Sequence, residues 1–397
     1  MSKLRAYALA LLLGLLIGAS SAAAATPSPV RSDPLTRSGF DAYYSLDYDT
    51  AIRHFEQIAA KYPDDPHAVN HLLSAVLFKE LYRIGAFETS LYSNNSFLDR
   101  KQLPPDPKVS ARIQQLIARS TELCEQRLRA NASDLDALYA RGVVRGMAST
   151  YMGLLQKAWY AALKNAKGAR ADHERVLELD PKFTDAKMVV GIHEYIAGSL
   201  PFFVKVLALL AGYRGDKEKG LQNLYDAGNG GGETAADAKV ALVLFLRREQ
   251  RFSDAITVAL SLNLAYPRNF MFALEVANVL NDAGRGPDAI AAYRKVLNES
   301  GKYFQPKLEF VAFGLGEALR GQRHYQEAAE AYALVGKYPE VERELVQRAE
   351  LSAGEVYDLM GKRDQALAHY QTAVSNGSGS QWAEIARKRI QEPYRNP

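Results

Sequence analysis

Four alanines in the second half of the chain recur at a nearly constant interval, and no other property of the sequence limits the possible folds as strongly. They lie 34, 39 and 38 residues apart, at Ala255, Ala289, Ala328 and Ala366. Self-similarity with a period of about 20 to 50 residues is typical of repeat arrays, in which each unit buries its apolar face against its neighbours. We therefore expect at least this half of the chain to form such an array.

Further positions keep a fixed offset from these alanines. A short side chain stands twelve residues before each of them, at Val243, Ala277, Gly316 and Gly354. A large one stands nine residues before, at Leu246, Leu280, Leu319 and Tyr357. A tyrosine follows the last three alanines by four residues, at Tyr293, Tyr332 and Tyr370. Short residues let two helices approach while large ones fill the groove beside them, so the offsets predict a helix-turn-helix unit, with Gly284 and Gly361 at positive φ in its turn.

This pattern resembles the tetratricopeptide repeat. Its best copy runs through Ala353-Gly354-Glu355-Val356-Tyr357 and Gly361-Lys362-Arg363-Asp364-Gln365-Ala366 to Tyr370 and Ala373. An N-terminal copy keeps the same offsets at Tyr48, Ala51, Phe55, Ile58 and Pro63. The resemblance implies an all-α solenoid whose stacked helix pairs coil into a right-handed superhelix. The units at Ala255 and Ala289 depart from the family pattern, with Ala259 where an aromatic residue is usual and Gly286 where one often precedes the alanine.

The segments outside this array are less regular. We expect a signal peptide at 1–25, tetratricopeptide-like helices at 26–92, a linker at 93–107, a middle region of long helices at 108–232, and a C-terminal repeat array with a capping helix at 233–397. Long helices are predicted from His67 to Glu88, Val109 to Ala130, Asp134 to Leu163 and Ala169 to Leu179. The run from Ser199 to Leu221 resembles the middle of a eukaryotic tetratricopeptide family that includes a fungal mitochondrial outer-membrane protein, which implies more scaffold and no catalytic residues.

The first 25 residues predict export. Lys3 and Arg5 provide a basic start, an apolar run from Ala6 to Ile17 follows, and the alanines at 22–25 suit a signal peptidase that cleaves near Ala25. This indicates a periplasmic or secreted protein. The whole chain has a net charge of +4, and about +2 remains without the leader, so composition gives no reason to expect nucleic acid as a partner. The single cysteine, Cys124, cannot form an internal disulfide.

Few residues suggest chemistry. His67 and His71 share one face of a predicted helix, but no third metal ligand is evident, and surface histidines are the simpler interpretation. His193-Glu194 fails as a zinc-protease motif because Ala197 replaces the second histidine. The glycine-rich segment at 228–234 lacks the lysine of a phosphate-binding loop and is interpreted as a flexible connector. We therefore expect no enzymatic activity, no cofactor and no metal.

The run from Leu200 to Tyr213 has one charged residue, Lys205. It is too short to cross a bilayer, and a buried helix between neighbours is the favoured interpretation. Contact with a membrane surface and a pocket for an apolar ligand stay open as alternatives. The alternative function that follows is a carrier of lipid or of a small apolar ligand.

The partner surface is predicted from the repeat register. In a solenoid of helix pairs, the first helix of each pair lines the concave face. The outward positions on these helices are Arg247, Asn278, Asn281, Phe310, Phe313, Glu317, Arg320, Glu355 and Asp358. Amides can satisfy the backbone of an extended peptide while aromatic rings hold its side chains, so the set predicts a scaffold or adaptor that binds a protein or peptide. An ordinary solvated surface is the competing interpretation for any single residue.

Overall fold

Residues 28–86, 104–199 and 215–395 are described by a computed structural model. These residues form seventeen α-helices and no β-strand, which confirms the all-α repeat solenoid. The predicted leader, most of the predicted linker and the apolar run 200–213 lie outside the described residues, so those interpretations stay predictions. Pro107, at the end of the predicted linker, begins a long helix.

The helices of the first half are α1 Pro34–Tyr44, α2 Tyr48–Lys61, α3 Pro66–Arg83, α4 Pro107–Ala130, α5 Leu135–Thr150, α6 Trp159–Leu179, α7 Thr184–Gly198 and α8 Lys217–Asn229. Those of the second half are α9 Ala235–Arg248, α10 Phe252–Ala265, α11 Phe270–Asp282, α12 Gly286–Asn298, α13 Leu308–Gly321, α14 Tyr325–Val335, α15 Arg343–Leu359, α16 Arg363–Ser375 and α17 Gln381–Gln391. Short 3₁₀ turns at Pro29–Ser32 and Ser300–Lys302 and a π turn at Tyr151–Leu155 complete the described helical structure.

Several helices begin at an aspartate followed by a proline. Asp33, Asp65 and Asp106 each accept a hydrogen bond from a backbone N–H of the first turn, and the next residue is the first of the helix. The carboxylate satisfies a donor that has no partner within the helix, and proline loses nothing at this position because its missing N–H would be unpaired. The Asp-Pro pairs therefore fix where α1, α3 and α4 start.

Consecutive helices pack against one another along the chain, and among the described residues their apolar faces form a main core from Tyr43 to Val356 and three smaller clusters. The four repeat alanines, Ala255, Ala289, Ala328 and Ala366, are completely buried. The three repeat tyrosines, Tyr293, Tyr332 and Tyr370, are at most 2% exposed. The periodic positions identified in the sequence are thus the contact positions of the array.

In the units at Ala51, Ala328 and Ala366, the glycine twelve residues before the alanine makes room for an aromatic ring. A Cβ added to Gly316 would lie 2.5 Å from the ring of Tyr332, and one added to Gly354 would lie 2.4 Å from that of Tyr370. In the N-terminal unit, Gly39 stands in the same relation to the ring of Phe55, at 2.5 Å. Because 2.5 Å is far inside van der Waals contact, any larger residue at these positions forces the ring or the paired helix to move.

Turn geometry confirms one expectation, and a helix boundary corrects another. Gly284 and Gly361 have φ of 72° and 73°, the left-handed region that glycine tolerates best. The single helix predicted from Asp134 to Leu163 is wrong, because α5 passes into the π turn and Lys157 takes a φ of 56°. The break lies at residues 156–158, before α6, and not between Leu163 and Ala169.

Hydrogen bonds join the N-terminal helices to the later repeats. The Tyr44 hydroxyl donates to the Asp237 carboxylate at 3.1 Å, and the Asn269 side chain donates to the Tyr44 carbonyl at 2.7 Å. The Tyr82 hydroxyl donates to the carbonyl of Gln305 at 2.8 Å, and Lys307 donates to the Tyr82 carbonyl at 2.9 Å. The array is therefore not open along its length, since α1 and α3 lie against α9, α11 and the segment before α13.

The single cysteine, Cys124, is buried. Burial raises the pKa of the Cys124 thiol to about 12, so at neutral pH this side chain is a packed, protonated thiol.

Among the described residues, no helix is both long and apolar enough to cross a membrane.

Candidate functional site

One cleft lies where four successive first helices face the end of α3. It is lined by residues of α9, α11, α13 and α15, together with Tyr82 of α3 and Gly85 just beyond it. Its volume is about 280 Å³. Sites that enclose a drug-sized ligand have about 300 to 1,000 Å³, so the cleft lies at the lower end of that range and has room for a few side chains of a larger partner.

Six of the nine predicted partner-binding residues line this cleft. They are Arg247, Asn278, Asn281, Phe310, Phe313 and Glu317. They come from three helices, α9, α11 and α13, and the repeat register brings them to one wall. The spacing found in the sequence therefore selects residues that meet in space.

The apolar part of the lining is formed by rings and aliphatic chains of α11 and α13. Phe270, Met271 and Leu274 contribute from α11, and Phe310 and Phe313 contribute from α13. The Arg348 guanidinium lies 4.6 Å from the centroid of the Phe313 ring, which is a cation–π contact. An incoming apolar side chain would thus meet aromatic surface whose orientation is already fixed.

The charges of the cleft are largely compensated within it. Arg247 forms ion pairs of 2.7 Å with both Glu275 and Asp282. These carboxylates keep the pKa of Arg247 raised although burial alone would lower it. Because the guanidinium already has two partners, we interpret Arg247 as part of the wall and not as a free anion receptor.

The repeat tyrosines hold the polar residues of the cleft. The Tyr293 hydroxyl donates to Asn278 Oδ1 at 2.7 Å, and the Tyr332 hydroxyl donates to Glu317 Oε1 at 2.6 Å. Burial raises the pKa of both tyrosines, so both phenols stay protonated and act as donors. Each ring thus packs against the partner helix and orients one side chain of the binding surface.

The other three predicted residues do not reach the cleft. Glu355 is paired with Arg320 at 2.8 Å and with Arg389 at 3.2 Å. Asp358 accepts hydrogen bonds from Tyr370, Arg363 and the Tyr394 backbone, and only 1% of its side chain is exposed. Helix α17 and the residues after it cover this part of the inner face, so Arg320, Glu355 and Asp358 stabilise the end of the array.

Sequence reasoning missed the cleft residues that come from outside the repeat register. Tyr82 lies 223 residues before its partner Gln305, and no local pattern announces a contact at that separation. Arg348 and Lys307 also line the cleft. The signal for Arg348 is present, since it stands six residues before Gly354, the same offset that Phe310 has from Gly316.

A second polar cluster corrects the interpretation of the two histidines. His67 and His71 are 2% and 5% exposed, so they are buried and not at the surface. Glu233, from the glycine-rich segment, lies beside them, with its Oε2 atom 3.2 Å from His71 Nε2. Burial lowers the pKa of His67. It would raise that of Glu233, but His71, Arg31 and His67 together lower the pKa of Glu233 to about 2.

Sequence comparison agrees with the geometry. Models described as tetratricopeptide repeat match residues 37–65 and residues 240–303. The chain contains tetratricopeptide repeats. The first match covers most of α1 and α2, and the second covers α10 to α12 with most of α9, so both fall on helix pairs of the observed array. No curated protein matches the chain.

Several solved structures resemble the chain at low sequence identity. The human IFIT1 dimer with m7Gppp-AAAA is 10% identical, with a TM-score of 0.43 over 92% of this chain and 83% of that one. Yeast Tom70 is 14% identical, with a TM-score of 0.41 over 91% of each chain. Pseudomonas aeruginosa pilF is 17% identical, with a TM-score of 0.39 over 63% of this chain and 99% of that one. These values are too low for any role of those proteins to be transferred.

Proposed function

We propose that the protein is a non-catalytic scaffold that binds an extended segment of another protein in the cleft between α3 and the first helices of the repeats. The observation that carries the proposal is that residues selected by the repeat register on α9, α11 and α13 converge on that one cleft. Tetratricopeptide repeats suit protein interaction because stacked pairs present a long, preformed surface.

The chemistry of the cleft favours a peptide. Asn281 offers its amide group to a backbone, and Asn278 offers the donor and acceptor capacity that remains beside its bonds to Tyr293 and Glu275. Phe310 and Phe313 offer rings to apolar side chains. The acidic and basic residues of the lining have partners within the protein: Arg247 is paired with Glu275 and Asp282, and Lys307 and Glu317 are hydrogen-bonded. We therefore expect the interaction to depend on shape and hydrogen bonds more than on net charge.

A variant with an altered cleft lining tests the proposed function. Asn281→Arg combined with Phe313→Ala should weaken partner binding at least about tenfold, or about 1.4 kcal/mol, because it adds a long charge and removes a ring. The matched control is Asn298→Arg, the same substitution at an exposed position on α12, the second helix of that repeat. Crosslinking pull-downs from the envelope fraction, followed by titration of the captured partner, give the readout.

Equal affinity of the wild type and the cleft variant would contradict the proposal. Circular dichroism and melting of each variant show whether the array is intact, so loss of binding is scored only when the fold is retained. Loss of binding in the Asn298→Arg control would place the interface on the outer surface.

We further propose that the protein acts outside the cytoplasm. The leader expected at 1–25 supports this. Mass measurement of the protein recovered from periplasm or medium should give a chain that begins near Ala25. An intact N-terminus in the cytoplasmic fraction would contradict export.

A further inference from the structure

Two motifs that the binding cleft does not use meet at one place in the fold. His67 and His71 lie on the first turns of α3, and Glu233 belongs to the glycine-rich loop between α8 and α9. One ligand atom from each of the three side chains lies within 4.8 Å of the other two. His71 and Glu233 are 162 residues apart in sequence, so only the closed array brings them together.

The backbone around these residues is built to hold them. The histidines stand four residues apart, which places both on one face of α3. The loop is not loose: the Thr234 backbone and hydroxyl both donate to Asp185 Oδ1, at 3.1 and 2.9 Å. A Cβ on Gly232 would lie 2.0 Å from the same carboxylate, so glycine is needed for the loop to approach. The segment interpreted as a flexible connector is therefore anchored, and it presents Glu233 to α3.

Atoms of this cluster are buried without a hydrogen-bond partner. Within the described ranges, His67 Nε2, His71 Nδ1 and Glu233 Oε1 find none. The nearest acid to His67 Nε2 is Asp136, whose Oδ1 is 3.9 Å away, beyond hydrogen-bonding distance. A buried polar atom without a partner costs about 1 to 3 kcal/mol. A group bound beside His71 Nε2 and Glu233 Oε2 would supply the partner that His67 Nε2 lacks.

The ligand atoms of the three side chains indicate which class of group binds there. Two imidazole nitrogens and one carboxylate oxygen are ligands for first-row divalent transition metals, whereas calcium and magnesium prefer oxygen alone. We propose that His67, His71 and Glu233 bind a divalent transition metal, with zinc as the best fit. Three protein ligands leave a fourth position for water, as in sites that are not fully closed by protein.

Distances and neighbouring charges are compatible with this assignment. In a tetrahedral site with bonds of about 2.0 to 2.2 Å, ligand atoms lie about 3.3 to 3.6 Å apart. His71 Nε2 and Glu233 Oε2 are 3.2 Å apart, close to this separation, and the ligand atom of His67, which lies within 4.8 Å of both, needs to move inward by at most about 1.5 Å. Arg31 Nε lies 3.8 Å from Glu233 Oε1, so the metal takes Oε2 while Arg31, which also pairs with Asp185, faces the other oxygen.

The metal would act as a cross-link. Bound at this position, it ties α3 to the loop before α9, in the same region where Tyr44 is bonded to Asp237 and Asn269. We expect it to stabilise the contact between the N-terminal helices and the repeats. The cluster is separate from the binding cleft, because neither histidine nor Glu233 lines that space.

Zinc titration of the tag-free, chelator-treated full chain tests the proposal. Calorimetry should show that one equivalent of zinc binds, and the melting temperature should rise with zinc concentration. Cobalt should give the intense visible absorption of a tetrahedral site. Glu233→Gln and His67→Gln keep the side-chain volume close to native and should weaken zinc binding at least about tenfold.

The control is His324→Gln, an exposed histidine on the far part of the array, which should bind zinc like the wild type. Circular dichroism of each variant without metal separates loss of the site from loss of the fold. If the wild type takes up no stoichiometric zinc, or if Glu233→Gln and His67→Gln bind zinc as tightly as the wild type, the site is not a metal site.

Discussion

At the scale of single residues, the same side chains pack the repeats and position the residues of the candidate cleft. Tyr332 fills the space left by Gly316 and donates to Glu317, the next residue of that helix. Tyr293 likewise donates a hydrogen bond to Asn278, the residue after the short side chain of Ala277. A substitution that displaces a tyrosine ring therefore also displaces the cleft residue bonded to its hydroxyl. We expect substitutions in the core of a repeat to change the geometry of the cleft.

Gly316→Ala should destabilise the protein by about 1 to 3 kcal/mol, because the new methyl group would lie 2.5 Å from the Tyr332 ring and force it to move. Gly321→Ala, in the same helix, meets no atom within 4 Å and should be neutral or slightly stabilising. Urea unfolding of both variants measures the difference. Equal stability would show that the ring relaxes freely.

Sequence reasoning succeeded for residues whose partners are in the same or the next unit. The alanines, glycines and tyrosines were found because they repeat, and so were Asn278, Asn281 and Phe313 on the cleft wall. Glu233 and Tyr82 were not found, because their partners are far along the chain. Glu355 and Asp358 were assigned to the open face because the register carries no information about the helix that covers them.

At the scale of helices, α17 closes the C-terminal end of the array. Trp382 and Ile385 pack against the core around Tyr370, and Trp382 Nε1 donates to Glu344 at 3.0 Å. Arg363 donates to the last carbonyls of α17, those of Arg389 and Ile390, at 2.8 and 2.7 Å. These contacts satisfy the end of α17 and fix it on α15 and α16.

Truncation before Ser380 should lower the melting temperature by roughly 5 to 10 °C, because it uncovers Tyr370 and Ala373 and leaves Glu355 without Arg389. Differential scanning calorimetry measures the shift. Removal of 396–397 alone serves as the control for shortening the chain. An unchanged melting temperature would show that α17 does not act as a cap.

The sequence predicts helix boundaries where glycine, proline or aspartate marks them. It does not predict a boundary that only the backbone conformation marks. The starts of α3 and α4 fall within two residues of their predicted positions, at Asp-Pro pairs. The break between α5 and α6 depends on Lys157, a residue type that rarely takes positive φ. Nothing in the local composition distinguishes this lysine from its neighbours.

At the scale of the whole molecule, the contact between α1 and α9 makes stability depend on pH. Burial raises the pKa of Asp237 to about 6, although the hydrogen bond from Tyr44 opposes the shift. In an unfolded chain an aspartate titrates near about 4. Between these values the folded protein binds more protons than the unfolded chain, so the free energy of unfolding falls as pH rises and stays lower above that window.

Asp237→Asn should remove this dependence, since the amide is neutral at every pH and can still accept from Tyr44. The variant should match the wild type near pH 4 and exceed its stability near pH 7 by up to about 3 kcal/mol. Urea unfolding at both pH values measures this. The exposed Asp364→Asn is the control, and an identical profile for Asp237→Asn and wild type would contradict the assignment.

The bonds from Tyr44 and Tyr82 to the later repeats have a mechanical consequence. An unbraced coil of helix pairs stretches under small forces and can wind around a ligand. Here the hydrogen bonds between the N-terminal helices and the later repeats fix the distance between them before any partner binds. The proposed partner would therefore enter as a narrow, already extended strand, and its binding would require little further ordering of the array.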